Sequence, residues 1–139
     1  MDNWIKEFHA VVAQNLRDLD LTTMGTPGAL NILKKLPYRF DPKIPTISFS
    51  MARRRGWAAC GEAAAAIAAT EIQAGNDPVL CIKRGNLTKG AHALIISNSR
   101  KFDPYSLFFE RANHACFLQF NVRTHLQGPN GVYNQLAAN

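Results

Sequence analysis

Three residues, in this order, have the chemistry of a cysteine nucleophile. They are Cys60 in Arg55-Gly56-Trp57-Ala58-Ala59-Cys60-Gly61-Glu62, His92 in Gly90-Ala91-His92-Ala93-Leu94, and Asp103 in Phe102-Asp103-Pro104. A thiol reacts as its thiolate, an imidazole can take the proton and later return it to a leaving group, and a carboxylate can fix the imidazole tautomer and steady its positive form. Cys60 opens an alanine-rich stretch, so it is expected at a helix N-terminus, where unpaired N–H groups and the positive end of the helix dipole favour an anion. Its backbone N–H is one expected oxyanion donor. Trp57, through its indole N–H or as a wall of the cleft, is the expected neighbour. Gln73 lies thirteen residues further on, several helical turns away, and is set aside as a donor.

Each of these residues also has an ordinary reading. Cys60 alone suits a small core residue, His92 a strand histidine, Asp103 before Pro104 a turn opener, and Trp57 a core anchor. Glu62, in the first helical turn, complements the dipole without any catalytic role. The ordered trio favours catalysis over these separate accounts. Cys81 alternates with apolar neighbours and reads as core. Cys116, with His114 and His125 nearby, is a competing constellation, but its spacings match no common zinc motif.

The elements that must position the trio follow from periodicity and punctuation. Trp4, Ile5, Phe8, Val11, Val12, Leu16 and Leu19 recur at helical steps and predict an amphipathic first helix. Thr26-Pro27 predicts a second helix start, closed by Pro37. Residues 37 to 46 are expected as an extended connection, and Thr46 to Ser50 alternates like a short strand. Ala58 to Ala74 is the firmest helix, stopped by Gly75-Asn76-Asp77-Pro78. Val79 to Ile82, Ala91 to Ile96 and Lys101 to Asp103 read as strands joined by polar turns at 84 to 90 and 97 to 100, and 115 to 122 as another. Adjacent antiparallel strands can then set His92 and Asp103 side by side.

The expected fold is α+β: N-terminal helices, then a central alanine-rich helix carrying Cys60, packed on a small antiparallel sheet. With 139 residues, nearly half of them apolar, one domain over 1–139 is expected. It divides into a helical part at 1–55, a core at 56–125, and a tail at 126–139 marked by the turn Pro129-Asn130-Gly131.

The net charge of +6 is unevenly spread. Lys34, Lys35, Arg39, Lys43, Arg53, Arg54 and Arg55 against Asp41 give the 34–55 segment an excess of +6, while the first 33 residues carry −2. This excess can be a solvated face, or it can stabilise a thiolate, attract an acidic partner or contact phosphate. Arg53-Arg54-Arg55 is too short to claim nucleic acid. Three cysteines, with no Cys-x-x-Cys pair, exclude a disulfide-stapled scaffold and a structural zinc site, and are expected as thiols in a reducing, cytoplasmic compartment. No cofactor or metal is implied. No signal segment and no run of about 20 apolar residues is present, so no membrane association is expected.

Residues 56 to 105 resemble the core of the transglutaminase-like branch of papain-type cysteine enzymes. In that branch a helix-opening cysteine is followed by histidine on one strand and aspartate on the next. Cys60-Gly61-Glu62 with its following alanines resembles the nucleophile segment of peptide N-glycanases and bacterial transglutaminase-like peptidases. His92-Ala93 and Asp103-Pro104 resemble their His-Ala and Asp-Pro elements, and papain-like cell-wall endopeptidases share the same order. The resemblance implies a Cys60, His92 and Asp103 triad acting through a thioester on a protein or peptide substrate. Processing of a precursor in a bacterial, phage or viral setting suits it. The alternatives are a toxin-like glutamine deamidase or acyl transferase, or a non-catalytic binding module with a basic docking surface. The short interval from Cys60 to His92 leaves little room for the insertions that shape clefts in larger relatives.

Overall fold

The structure, a computed structural model, describes residues 2–83, 92–105, 116 and 118–127. The chain runs α1 (Asp2–Leu16), α2 (Leu19–Lys35), α3 (Phe49–Arg55), α4 (Cys60–Gln73), β1 (Val79–Lys83), β2 (His92–Ser97), β3 (Arg100–Phe102), β4 (Leu118–Asn121) and α5 (Val122–Gln127). This is an α+β fold with one four-stranded sheet in the order β3-β2-β1-β4, and every pairing is antiparallel. The hairpin between β2 and β3 turns on Asn98 and Ser99, whose φ values of 51° and 61° give the left-handed geometry that matches strand twist.

Helix α4 is the centre of the molecule. Its twelve residues from Cys60 to Glu71 are all buried, and it touches α1, α2, α3, β1 and β2. Alanine gives it high helix propensity and little side-chain bulk, so neighbouring backbones approach from several sides. Ile5, Phe8, Val12, Leu21 and Leu33 from α1 and α2 join Leu80, Ile82, Ala93, Ile95 and Phe102 from the sheet in one hydrophobic cluster around it. The polar groups that α4 buries are tied down. Thr26 Oγ1 donates to Glu71 Oε2 at 2.6 Å and lies 2.7 Å from Thr70 Oγ1, and Asn76 Nδ2 donates to Glu71 Oε1 at 3.2 Å.

Several expectations are corrected. Leu19 does not extend the buried face of α1; it is 77% exposed at the start of α2, because Asp18 ends the first helix and caps the second by accepting from Leu21 N–H. The helix start expected at Thr26-Pro27 is present, because non-helical Gly25 (φ 69°) breaks α2 into two helices just before it, but the Thr26 hydroxyl bonds to Glu71 of α4 instead of capping. The expected strand at 46 to 50 is absent. Ser48 is the N-cap of α3, accepting from Met51 N–H, Asn15 Oδ1 accepts from Phe49 N–H, and Gly56 closes the helix at φ 89°. Of the strand expected at 115 to 122, residues 118–121 form β4 and Val122 already belongs to α5, which starts where Asn121 Oδ1 accepts from Thr124 N–H; residues 115 and 117 lie outside the described residues. That helix crosses the expected tail boundary at 126 and buries Leu126.

The reading of three free thiols is also overturned. Cys81 and Cys116 form a disulfide, joining β1 to the segment before β4, while Cys60 stays free. Strand pairing brings the two half-cystines together, a proximity that the linear spacing could not reveal. His114, the 84 to 90 turn and Pro129-Asn130-Gly131 lie outside the described residues. No helix among the described residues is long and apolar enough to cross a membrane.

Candidate active site

The position of Cys60 is set by the turn that precedes it. After Gly56, the chain at Ala58 pairs with Tyr38 in an isolated parallel bridge, with Arg39 N–H donating to Ala58 O and Ala58 N–H to Pro37 O, both at 3.1 Å. Ala59 then takes an extended conformation at the N-cap and offers no side-chain acceptor. Glu62 reaches back instead, its Oε1 accepting from Ala59 N–H at 3.0 Å and from Arg55 Nη2 at 2.7 Å. Arg55 also donates to Trp57 O and lies with its guanidinium carbon 3.3 Å from the centre of the Trp57 ring. A buried carboxylate and a stacked arginine thereby clamp residues 55 to 62, and Cys60 becomes the first residue of α4. At that position the backbone N–H has no intrahelical acceptor.

His92 begins β2, opposite Lys83 of β1. Asp103 follows β3 by one residue. Because Phe102 pairs with Ile95, continuing the register by one step sets Asp103 across from Leu94, on the same parity as His92. The two side chains meet: His92 Nε2–H donates to both carboxylate oxygens of Asp103 at 2.8 Å. The imidazole is 1% exposed and the carboxylate 9%. With Nε2 held by Asp103, Nδ1 is the ring nitrogen that can serve the thiol, and Cys60 is near enough to act on the ring. Burial by itself lowers the pKa of His92. It is outweighed by the hydrogen bond to Asp103, then by the Cys60 thiol and the charges of both, which push the value up to about 9.

Cys60, His92 and Trp57 line one cleft of about 560 Å³. Its other walls come from Asn3, Trp4 and Glu7 of α1, from the loop Phe40 to Thr46, and from Ile82 and Ala93 of the sheet. Glu7 holds the far end of that loop by accepting from Thr46 N–H. Gly61 lets the loop come close: a Cβ there would lie 3.1 Å from Thr46 Oγ1 and 3.5 Å from the Trp4 ring.

The structure therefore gathers Cys60, His92 and Asp103, with Trp57 beside them in the cleft wall. Glu62 does more than complement the dipole, since it also pairs with Arg55. Gln73 is exposed at the opposite end of α4. Of the rival constellation, Cys116 is in the disulfide, and His125 stacks on His9 at 3.9 Å between ring centres. Sequence reasoning missed Tyr38 and Tyr105, whose rings meet edge to face at 5.1 Å. Burial, then the charges of Cys60 and Glu62, raise the Tyr38 hydroxyl above its usual range; burial, then Glu62 and Cys60, push Tyr105 up to about 12. Both phenols are thereby held in their protonated form at physiological pH. Tyr105 donates to Leu33 O at 3.2 Å. No local signal marks them, because they reach the site from the segment after α2 and from beyond β3. Among the described residues, no group of three or more His, Cys, Asp or Glu is arranged to hold a metal ion.

No protein-family model, curated protein or solved structure matches the chain.

Proposed function

We propose that the protein is a cysteine hydrolase that cleaves a peptide or amide bond through a thioester on Cys60. The observation that carries this reading is that Cys60 and His92 line one cleft, large enough for a peptide segment, with Asp103 bonded to Nε2 of the imidazole. In the first step the Cys60 proton passes to His92 and the sulfur attacks the substrate carbonyl carbon. The oxyanion is met by Cys60 N–H, with Trp57 in the adjacent wall. The tetrahedral adduct collapses as the C–N bond breaks and His92 protonates the departing amine. Water then gives a proton to His92 and attacks the thioester, releasing the acid and returning the proton to the thiol. Asp103 keeps the ring oriented and favours its charged form throughout.

On this reading the likeness of Cys60-Gly61-Glu62, His92-Ala93 and Asp103-Pro104 to transglutaminase-like enzymes is a likeness of mechanism, and a protein or peptide is the substrate. Processing of a precursor suits an enzyme of this size. The Cys81–Cys116 disulfide favours an oxidising compartment over the cytoplasm expected from the cysteine count, since cytosolic reductants keep most thiols reduced.

The test needs no substrate. Iodoacetamide labelling, mapped by mass spectrometry against pH, should modify Cys60 below pH 7, and His92→Gln should abolish that reactivity while circular dichroism stays native. A Cys60 that is protected, or that reacts only near the ordinary thiol pKa of about 8.5, defeats the hydrolase reading in favour of a binding module.

A further inference from the structure

We infer that the substrate carries a carboxylate, bound at the mouth of the cleft by Arg39 and Lys43. The inference rests on the hydrolase reading and names the substrate class that the same site would take. It begins with which charged groups around the cleft already have work within the protein. Glu62 is matched by Arg55, and Asp103 by His92. Glu7 accepts from Thr46 N–H, and Asp41 Oδ1 from Lys43 N–H at 2.9 Å. Each acid is thus engaged by a protein donor. The cations differ. Arg55 is spent on Glu62 and Trp57 O, whereas the side chains of Arg39 and Lys43 form no ion pair or hydrogen bond among the described residues.

Lys43 lines the cleft, and Arg39 stands behind it, next in sequence to Phe40 and stacked on Trp57, both of which line the cleft too. Arg39 is pinned beside Trp57 by its backbone bond to Ala58, and its guanidinium carbon lies 5.1 Å from the centre of the Trp57 ring. Stacking of this kind fixes the plane of a guanidinium while leaving its N–H edge open to a carboxylate. Lys43 sits in the cleft wall on a turn between Pro42 and Pro45, closed by Ile44 N–H donating to Asp41 O at 3.1 Å. Two prolines and an Asx turn restrict that backbone before any ligand arrives, which lowers the ordering cost of binding. Elsewhere in the basic segment, Arg53 stacks on Phe49, which is not part of the cleft lining, and Lys34, Lys35 and Arg54 are exposed. Within the segment of +6, the arrangement singles out two residues.

The matched reagents iodoacetate and iodoacetamide test this directly, because they differ by one charge and alkylate the same sulfur. The ratio of their second-order rate constants at Cys60 is measured at pH 7 in the full chain, in the Arg39→Gln/Lys43→Gln double variant, and in Lys34→Gln. A single charge contact at about 4 Å in water changes a rate by about fivefold. The iodoacetate to iodoacetamide ratio should therefore fall by about fivefold or more in the double variant and remain at the wild-type value in Lys34→Gln. In the wild type it should fall as salt rises from 0.05 to 0.5 M, concentrations on the order of those that screen exposed charges. A reactive Cys60 with the same ratio in all three proteins overturns the inference and leaves the hydrolase reading standing. A Cys60 inert to both reagents overturns the two together. Once a substrate pool is screened, peptides bearing glutamate should be cleaved faster than their glutamine counterparts, and the preference should be lost in the double variant.

Discussion

Replacing Asp103 with asparagine removes a charge from His92 while leaving an acceptor of similar shape. The folded protein holds the imidazole at a pKa of about 9 against an ordinary 6.5, through a carboxylate 2.8 Å away in surroundings almost closed to solvent. At about 1.4 kcal/mol per pH unit, that difference means the folded state favours the imidazolium by about 3 kcal/mol relative to the unfolded chain. Cys60 supplies a share, so the asparagine variant should lose about 2 kcal/mol. Because the folded pKa lies above the unfolded one, this stability is fully present below pH 6.5 and is lost as pH rises through 9. Urea unfolding of the two proteins at pH 6, 7.5 and 9.5, with the disulfide intact, reads the effect. The gap should be about 2 kcal/mol at pH 6, smaller at pH 7.5, and mostly closed at pH 9.5. A gap of constant size across the three values would refute a charged imidazole, and a gap that widened with pH would reverse the sign of the argument.

Glu62→Gln should cost about 2 kcal/mol in urea unfolding, less than for a fully buried pair because Arg55 reaches solvent; a loss under about 0.5 kcal/mol would show that the clamp before Cys60 is dispensable. Reducing the Cys81–Cys116 bond, which closes a 35-residue separation, should lower stability by about 3 to 4 kcal/mol, read by comparing oxidised and dithiothreitol-treated protein. Thr26→Val leaves Glu71 without its hydroxyl donor and should destabilise by about 1 to 3 kcal/mol, whereas Thr23→Val, an exposed neighbour, should change denaturant unfolding little.

What could be read in advance was what local chemistry decides. Alanine propensity and the Gly75 to Pro78 stop gave α4, and alternation with Asn98-Ser99 gave the β2 and β3 hairpin, so the order of Cys60, His92 and Asp103 carried real geometric content. Misreadings arose where a side chain chooses between two backbone states. Ser48 and Asn121 each end an apparently strand-like run, and each turns out to cap a helix. Thr26 looked like a cap and was recruited by Glu71, forty-five residues away. The Cys81–Cys116 bond, the pairing of Arg55 with Glu62 and the approach of Tyr38 and Tyr105 all depend on tertiary proximity, for which a single chain has no local code.

Alanine's small size on α4 has a consequence for anyone who would alter this protein. The helix bearing Cys60 is also the one that α1, α2, α3, β1 and β2 lean on, with no slack to absorb a larger residue, so its sequence is close to frozen. The rim from Arg39 to Ile44 presents exposed Phe40 and Ile44 and contributes nothing to the buried cluster. On the proposed reading, chemistry and selectivity are thus written on separable parts of the chain. Libraries confined to that rim should retarget the cleft without disturbing the thiol, while randomising α4 should yield mostly unfolded protein.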